Sequence, residues 1–315
     1  MRNQRRTGAF AVVGAAAFGL AFHAAGLANR LHPGMRQKAP ISPKLPDKRV
    51  FPTDNPWNQD ISKRPVAADS NAMLRSIGLD KPLHPDFGNE AVYGIPYIVV
   101  SKTQPKVAVK FQYAGESDAG PYPVPSDAPI EGGAEATGDR HVLVVDRDAW
   151  KLYELFDAHY DGKTWRAGSG AIFDLNSNAL RPDGWTSADA AGLPIFPSLC
   201  RYDEVVEHRA LTHALRFTCR RTRRAYVAPA RHFASDSKAA DLPPMGLRVR
   251  LKASFNIRGY PAPARVILEG LKKYGMILAD NGSDWFFSGT SDPRWDMDAV
   301  LTLRRVKGRD FEVVQ

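Results

Sequence analysis

Alternation of apolar and polar residues with a period of two is the pattern that most limits how this chain folds. Apolar side chains alternate with arginines and a lysine in residues 247–253, and a similar alternation covers residues 107–113. Successive side chains of a strand point to opposite faces, so both runs predict half-buried strands. Shorter strand-like runs follow Tyr93 and occupy 141–145, 152–156 and 165–174. Their spacing predicts a mainly β, α+β protein whose core is an antiparallel β-sandwich or barrel.

The C-terminal region follows a helical period instead. Apolar residues at 266, 267, 270, 271 and 274 share one helical face, with Pro263 at the start and Gly275 at the end. Proline favours the first turn of a helix and glycine its C-terminal cap. We therefore expect a C-terminal helical elaboration of a single globular domain that covers residues 51–315.

The N-terminus, residues 1–28, has the pattern of an export signal. Arg2, Arg5 and Arg6 precede an uncharged apolar run that ends in Gly26-Leu27-Ala28. A basic start, an apolar middle and a small-residue end are typical of a cleaved secretory signal peptide, although the run is also long enough for an uncleaved membrane anchor. Both alternatives predict a secreted or extracytoplasmic protein, periplasmic or at the cell surface, whose only membrane contact is an uncleaved N-terminal segment.

Residues 29–50 predict a linker. They contain four prolines and six lysines or arginines but one acid, as expected of an extended tether. Removing Arg2, Arg5 and Arg6 lowers the net charge by three, from +9 to +6, so the mature chain stays basic. This charge favours anionic partners such as a polysaccharide or anionic glycan, and because we expect the chain to be exported we predict no nucleic-acid partner.

The two cysteines, Cys200 and Cys219, allow two interpretations. In an oxidising compartment they predict a disulfide that closes a loop of about 20 residues and contributes about 3 kcal/mol. The alternative is a Cys200 nucleophile that is assisted by His213 or His232.

A long irregular stretch, residues 168–204, is the candidate location of a site. It has almost no hydrophobic period but carries several acids. Long irregular segments in compact domains usually bind, cover or catalyse. Glycoside hydrolysis needs two carboxyl groups, one as acid and one as nucleophile or base. We expect that pair among Asp139, Asp174 and Asp189, with His141 and His213 as orienting or proton-transfer groups.

Each of these assignments has a structural alternative. Aspartates beside glycine or asparagine, such as Asp280 and Asp284 around Asn281-Gly282, commonly form ordinary turns. If residues 139–141 are in a strand, Asp139 and His141 point to one face and the carboxylate can orient the imidazole; the favoured alternative is a structural pair of Asp139 with Arg140 at a strand start. For His213, which shares a face with Leu215, a buried structural role is the default.

Aromatic and basic residues predict how a substrate is held. Flat rings form apolar surfaces for sugars, and arginine forks match oxyanions. The segment from 209 to 231 holds seven arginines and no acid, and we expect a hairpin whose turn is strongly basic. The candidate substrate-binding residues are Tyr122, Arg181, Trp185, Trp285, Arg221 and Arg223.

Several common chemistries leave no motif in this sequence. His-Glu-x-x-His, Cys-x-x-Cys and a calcium-type acidic loop do not occur, so we predict no metal. A phosphate loop and a dinucleotide-binding glycine motif do not occur either, so we predict no cofactor.

Two functional hypotheses follow. In the first, the protein is an exported enzyme that hydrolyses a cell-surface or environmental polysaccharide with a carboxylate pair. In the second, it is a non-catalytic extracytoplasmic protein that binds an anionic glycan or another envelope component through the same groove or through the arginines.

Overall fold

The structure is a computed structural model that describes residues 38–315. The predicted signal or anchor at 1–28 and the first part of the predicted linker lie outside the described residues. The α-helices are α1 (Ser70–Ile77), α2 (Ala262–Lys273) and α3 (Met297–Leu301). The strands are β1 (His84–Asp86), β2 (Tyr97–Val100), β3 (Val109–Phe111), β4 (Val142–Asp146), β5 (Lys151–Phe156), β6 (His159–Tyr160), β7 (Trp165–Ala167), β8 (Ser169–Asp174), β9 (Leu215–Cys219), β10 (Arg248–Leu251), β11 (Met276–Asn281), β12 (Phe286–Ser288) and β13 (Phe311–Val313).

These strands form three sheets. The largest is six-stranded, with the order β1-β12-β9-β11-β10-β13. A four-stranded sheet has the order β2-β4-β5-β8, and a three-stranded sheet has the order β3-β7-β6. Strand residues outnumber helical ones, 23% against 17%, which confirms the prediction of a mainly β protein.

The sheets are curled and mixed, which corrects the expectation of antiparallel strands. The pairs β1–β12, β9–β11, β2–β4 and β3–β7 are parallel. Parallel neighbours need a long crossover connection, whereas a short turn can join only antiparallel neighbours. The pair β4–β5 shows the short connection: the Asp146 carboxylate accepts hydrogen bonds from the amides of Asp148 and Ala149, and the strands pair antiparallel.

The four-stranded sheet contributes to two hydrophobic clusters. Leu143, Val145 and Leu152 join the large cluster that includes residues of the six-stranded sheet, α1 and α2. The alternate residues Val142 and Val144 join a smaller cluster that contains Tyr122 and Trp165. Because β4 is buried on both faces, its sequence is a continuous apolar run rather than an alternating one.

The described part of the predicted linker lies against the domain. Lys38 bridges to Glu90, the Ser42 amide donates to Asp292 at 3.0 Å, and Tyr97 donates its hydroxyl hydrogen to the carbonyl of Pro43 at 2.8 Å. Residues 38–50 are therefore a strap on the domain surface. Within residues 38–315, no helix has both the length and the apolar character that crossing a bilayer requires.

The cysteines do not form the predicted disulfide. Cys200 bridges Gly289, and the continued β12–β9 register places Gly289 opposite Leu215. Cys219 lies at the other end of β9, which is five residues long. The positions of Leu215 and Cys219 along this strand are therefore about 13 Å apart. A disulfide requires Cα atoms within about 7 Å, so this separation is too long for a bond. Both cysteines are buried free thiols.

Candidate functional site

One face of the six-stranded sheet carries polar side chains on four neighbouring strands. Asp86 in β1 is paired with Ser288 in β12, and β12 is in turn paired with β9, which carries Arg216. Asp280 extends the row on β11, just after a register shift in its pairing with β9. The alternate residues of β9 and β12, Phe217 and Phe287 among them, belong to the hydrophobic core. The strand alternation therefore separates an apolar face from a charged one.

A buried ion pair lies at the centre of this face. The Arg216 guanidinium donates to both carboxylate oxygens of Asp189, at 3.1 and 2.8 Å, and to the hydroxyl of Ser288 at 2.6 Å. Asp189 is 1% exposed. Burial by itself lowers the pKa of Arg216, but the charge of Asp189 and the hydrogen bonds to it raise that pKa above its ordinary range, so the guanidinium stays charged. Such a bidentate pair holds both side chains in one orientation.

The second component is a carboxylate–imidazole pair in the loop before β4. Glu131 accepts a hydrogen bond from His141 Nδ1 at 2.6 Å, and His141 Nε2 lies 3.0 Å from the carbonyl oxygen of Ala188. The Arg140 guanidinium organises this loop by donating to the carbonyls of Ala134, Ala136 and Ala158. Among the described residues Arg140 thus binds backbone oxygens and not the Asp139 carboxylate, so its role is structural and the alternative Asp139–Arg140 pair does not form.

The charges of this pair depend on each other. Burial lowers the pKa of His141, but the Glu131 carboxylate outweighs burial and raises that pKa to about 9. Burial, the largest single effect, raises the pKa of Glu131, but the charge of His141 and the hydrogen bonds from it together hold that pKa below its ordinary value. At neutral pH the imidazole is therefore protonated and Glu131 is ionised, with about a quarter of its side chain, 26%, open to solvent.

Three further carboxyl groups surround these pairs, and all have raised pKa values. Burial, together with the charge of Glu131, raises the pKa of the half-buried Asp86 to about 6. Asp139 keeps an exposed surface, but the protein atoms crowded around its carboxyl group raise its pKa. Burial and the charge of Asp189 raise the pKa of Asp280 well above its ordinary value, and a hydrogen bond to Asp189 favours the protonated form.

These residues form one acidic cluster, which we name the acidic cleft: Asp86, Glu131, Asp139, His141, Asp189, Arg216 and Asp280. Five carboxyl groups share it with two cations, in a chain whose net charge is +9. Carboxyl groups in one site whose pKa values move in opposite directions are the usual arrangement of an acid and a base. In the described part of the chain, no three or more His, Cys, Asp or Glu residues are arranged to hold a metal ion.

The structure places three of the five predicted catalytic residues, Asp139, His141 and Asp189, in the cleft. Asp174 lies elsewhere, at the exposed end of β8, where the amides of Asn176 bond to its carboxylate and lower its pKa. His213 is buried in a separate cluster, between Glu204 at 2.9 Å and the carbonyl oxygen of Ala214 at 2.9 Å. We assign Asp174 to a turn and His213 to the structure of its own cluster.

Of the three aromatic residues predicted to bind sugar, two are buried in the core and one is partly exposed. Tyr122 and Trp285 are 0% exposed, so neither ring has a face for a ligand, and we assign both to the core. The Trp285 ring stacks between Phe217 and Phe311. Trp185 is partly exposed, with its ring 5.4 Å from the guanidinium carbon of Arg181.

The predicted arginine sites have different surroundings. Arg181 is buried and pairs with Asp118 at 2.6 Å, so it holds two loops together. The predicted hairpin after β9 does not form, because β12 and β11 are the neighbours of β9 and the chain from 220 to 247 contains no strand. Arg221 is exposed, and Arg223 is half-buried and donates to the carbonyl of Ala240.

Neither cysteine is in the state that a nucleophile requires. Burial raises the pKa of Cys200 well above its ordinary value and raises that of Cys219 to about 12. A nucleophilic cysteine needs its thiolate form, which burial disfavours here. His232, the alternative base, lies 3.1 Å from the carbonyl oxygen of Ala190.

Four residues of the cleft were not among the predicted site residues: Asp86, Glu131, Arg216 and Asp280. Arg216 carried a signal, because it interrupts the apolar residues of a strand, but the neighbouring arginines pointed to a basic hairpin. Asp280 precedes Asn281-Gly282, where turn chemistry is the ordinary explanation. Asp86 follows a proline in a three-residue strand, too short to show a period.

Comparison of the chain with protein-family models, with curated proteins and with solved structures found no match. The functional argument therefore depends on the geometry of the cleft.

Proposed function

We propose that this protein hydrolyses glycosidic bonds of a polysaccharide in the acidic cleft. The observation that carries the proposal is the pairing of two solvent-accessible carboxyl groups, Asp86 and Glu131, whose pKa values shift in opposite directions. Glycoside hydrolysis uses one carboxyl group that is protonated and a second that is ionised. The cleft contains both, and they interact, since the charge of Glu131 is one cause of the raised pKa of Asp86.

The roles follow from the protonation states. Asp86 is the general acid that protonates the leaving oxygen, because its pKa of about 6 keeps the proton on it in mildly acidic solution. Glu131 is the carboxylate that acts as nucleophile or base, and His141 positions it and keeps it ionised. Asp139 and Asp280 bind sugar hydroxyls, which can donate to and accept from carboxyl groups.

The Asp189–Arg216 pair positions the floor of the cleft. Its guanidinium is held by three hydrogen bonds, one of them to the Ser288 hydroxyl beside Asp86. Repulsion between the carboxylates raises their pKa values, and the buried charge of Arg216 opposes this effect. It lowers the pKa values of Asp86, Asp139 and Asp280.

The compartment and the finer architecture belong to the same proposal. The basic and apolar pattern of residues 1–28 supports export, which would bring the cleft to cell-surface or environmental polysaccharides. The curled sheets support a description of the domain as a half-barrel. The acidic cleft lies on the charged face of its six-stranded sheet.

The test is the release of reducing ends from a panel of neutral, amino-sugar and uronate polysaccharides by the full-length protein. We expect hydrolysis of at least one polymer, and a loss of about 100-fold or more in Asp86→Asn and Glu131→Gln. Asp174→Asn is the matched control, since it neutralises an exposed aspartate outside the cleft and should keep the wild-type rate. Activity that survives Asp86→Asn and Glu131→Gln, or a panel without a substrate, would refute the proposal.

A second candidate function is binding of an anionic glycan through the arginines after β9. Its support is the exposure of Arg220, Arg221 and Arg224, with the last lying 5.2 Å from the ring of Phe233. The test is retardation in a gel that contains a uronate or sulfated polysaccharide. Charge reversal, Arg221→Glu with Arg224→Glu, should abolish retardation if this surface binds, and should leave hydrolysis in the cleft unchanged.

A further inference from the structure

A stacked pair of aromatic rings continues the charged face beyond the acidic cleft. His84 in β1 and Phe286 in β12 are partners in the strand register, and their ring centroids are 3.8 Å apart at an interplanar angle of 10°. Both residues are half-buried, in contrast to the core ring pair of Phe217 and Trp285. The pair is therefore an aromatic surface that is partly open to solvent.

The ring pair lies beside the general acid. His84 and Asp86 are two residues apart in β1, so they point to the same face about 7 Å from each other along the strand. Phe286 and Ser288 repeat this arrangement in β12, and the Ser288 hydroxyl accepts a hydrogen bond from Arg216. A ligand that touches the rings can therefore reach Asp86 with the next part of its chain.

The imidazole of this pair is neutral over most of the pH range. Burial, helped by the charge of Arg304, lowers the pKa of His84 to about 4. A neutral imidazole stacked on a phenyl ring is an apolar surface. Two polar groups are near it: Asp86 lies two residues along β1, and the exposed Arg304 is close enough for its charge to act on His84.

We propose that His84 and Phe286 form a sugar-binding subsite, on which one pyranose ring stacks while the bond to be cleaved lies over Asp86 and Glu131. A pyranose has an apolar ring face, which suits the aromatic surface, and hydroxyls that both donate and accept. Hydroxyls can therefore bond to Asp86 and to Arg304, whereas a fully anionic polymer would meet the excess of carboxyl groups in the cleft. The occupant is a neutral sugar unit. This inference rests on the proposed function.

The experiment measures binding apart from turnover. Asp86→Asn serves as the background, because it removes the proton donor but keeps the rings, and its affinity for neutral oligosaccharides is measured by titration calorimetry. Adding Phe286→Leu keeps an apolar side chain but removes the flat ring, and we expect affinity to fall about 5- to 10-fold. Phe255→Leu is the matched control, since this half-buried phenylalanine packs against Tyr260 and belongs to neither proposed glycan-binding surface.

The outcomes separate this subsite from the proposed hydrolysis. If the wild type hydrolyses nothing but Phe286→Leu weakens oligosaccharide binding, the subsite is supported and the enzyme is refuted. If the wild type hydrolyses a substrate and Phe286→Leu raises KM no more than Phe255→Leu does, the enzyme is supported and the subsite is refuted. The absence of measurable binding to any neutral oligosaccharide also overturns the subsite. Unchanged melting temperatures of the variants show that the fold is retained.

Discussion

The buried carboxyl group of Glu154 should make the stability of this protein fall as the pH rises. Glu154 lies in β5 and is 0% exposed. Its oxygens accept hydrogen bonds from the amide of Ile195 at 3.0 Å and from the amide of Phe196 at 2.9 Å. Burial raises its pKa from the ordinary 4.5 to about 7, although the two amides act in the opposite direction.

The sign and the magnitude follow from proton linkage. Between about pH 4.5 and 7 the folded protein keeps this proton and the unfolded chain releases it, so the free energy of unfolding decreases as the pH rises. A shift from 4.5 to about 7 corresponds to about 3 kcal/mol. Glu154→Gln keeps a carbonyl acceptor for the amides and does not titrate, so it should lack this part of the pH dependence.

The assay is urea unfolding followed by tryptophan fluorescence at about pH 4 and about pH 8. We expect the wild type to lose about 3 kcal/mol more than Glu154→Gln between the two conditions, because the other titrating groups are common to both proteins and cancel. Glu135→Gln, at an exposed position, should follow the wild type. Parallel pH dependences of the wild type and Glu154→Gln would refute the assignment of a protonated buried carboxyl group.

Three other measurements test the remaining interactions. Asp189→Ala leaves the guanidinium of Arg216 buried without its carboxylate, and we expect a loss of about 3–5 kcal/mol in the free energy of unfolding, partly recovered in Asp189→Ala/Arg216→Met; no recovery would contradict the ion pair. Cys200 and Cys219 should react with a thiol reagent only after denaturation, and a reductant should not change the melting temperature; a lower melting temperature in reductant would reveal a disulfide. Hydrolysis should slow as the pH rises through about 6, since Asp86 then loses its proton; a constant rate up to about pH 8 would exclude Asp86 as the acid.

The strands were predictable where their own side chains carry the information. The alternation at 247–253 corresponds to β10, Arg248–Leu251, and the apolar run at 141–145 corresponds to β4, Val142–Asp146. Such patterns are local, because the face on which each side chain lies depends only on its position along the strand. The same argument failed for Asp139 and His141, because β4 begins only at Val142 and Arg140 between them has a φ of 52°. Their charges interact through the fold of this loop, not through strand alternation.

The partners of the strands were not predictable in this way. β9 pairs with β11 and β12, more than 50 residues later in the chain, rather than with a return strand after its basic end. The expectation of a hairpin used the nearest turn residues, but a strand pairs with whichever edge buries its apolar face and satisfies its backbone. The buried thiols of Cys200 and Cys219 are a result of the same arrangement.

The acidic cleft shows what the sequence determines by itself and what only the tertiary structure decides. The amino-acid pattern alone determines that Arg216 interrupts an apolar strand and that aspartates follow or precede several strands. Only the register of the six-stranded sheet brings Asp86 and Asp280 to the same face as Arg216, and only the loops at 131–141 and 187–190 bring Glu131 and Asp189 to it. Protonation states depend on burial and on charges that are distant in sequence, so the tertiary structure decides which carboxyl group is the acid and which is the base.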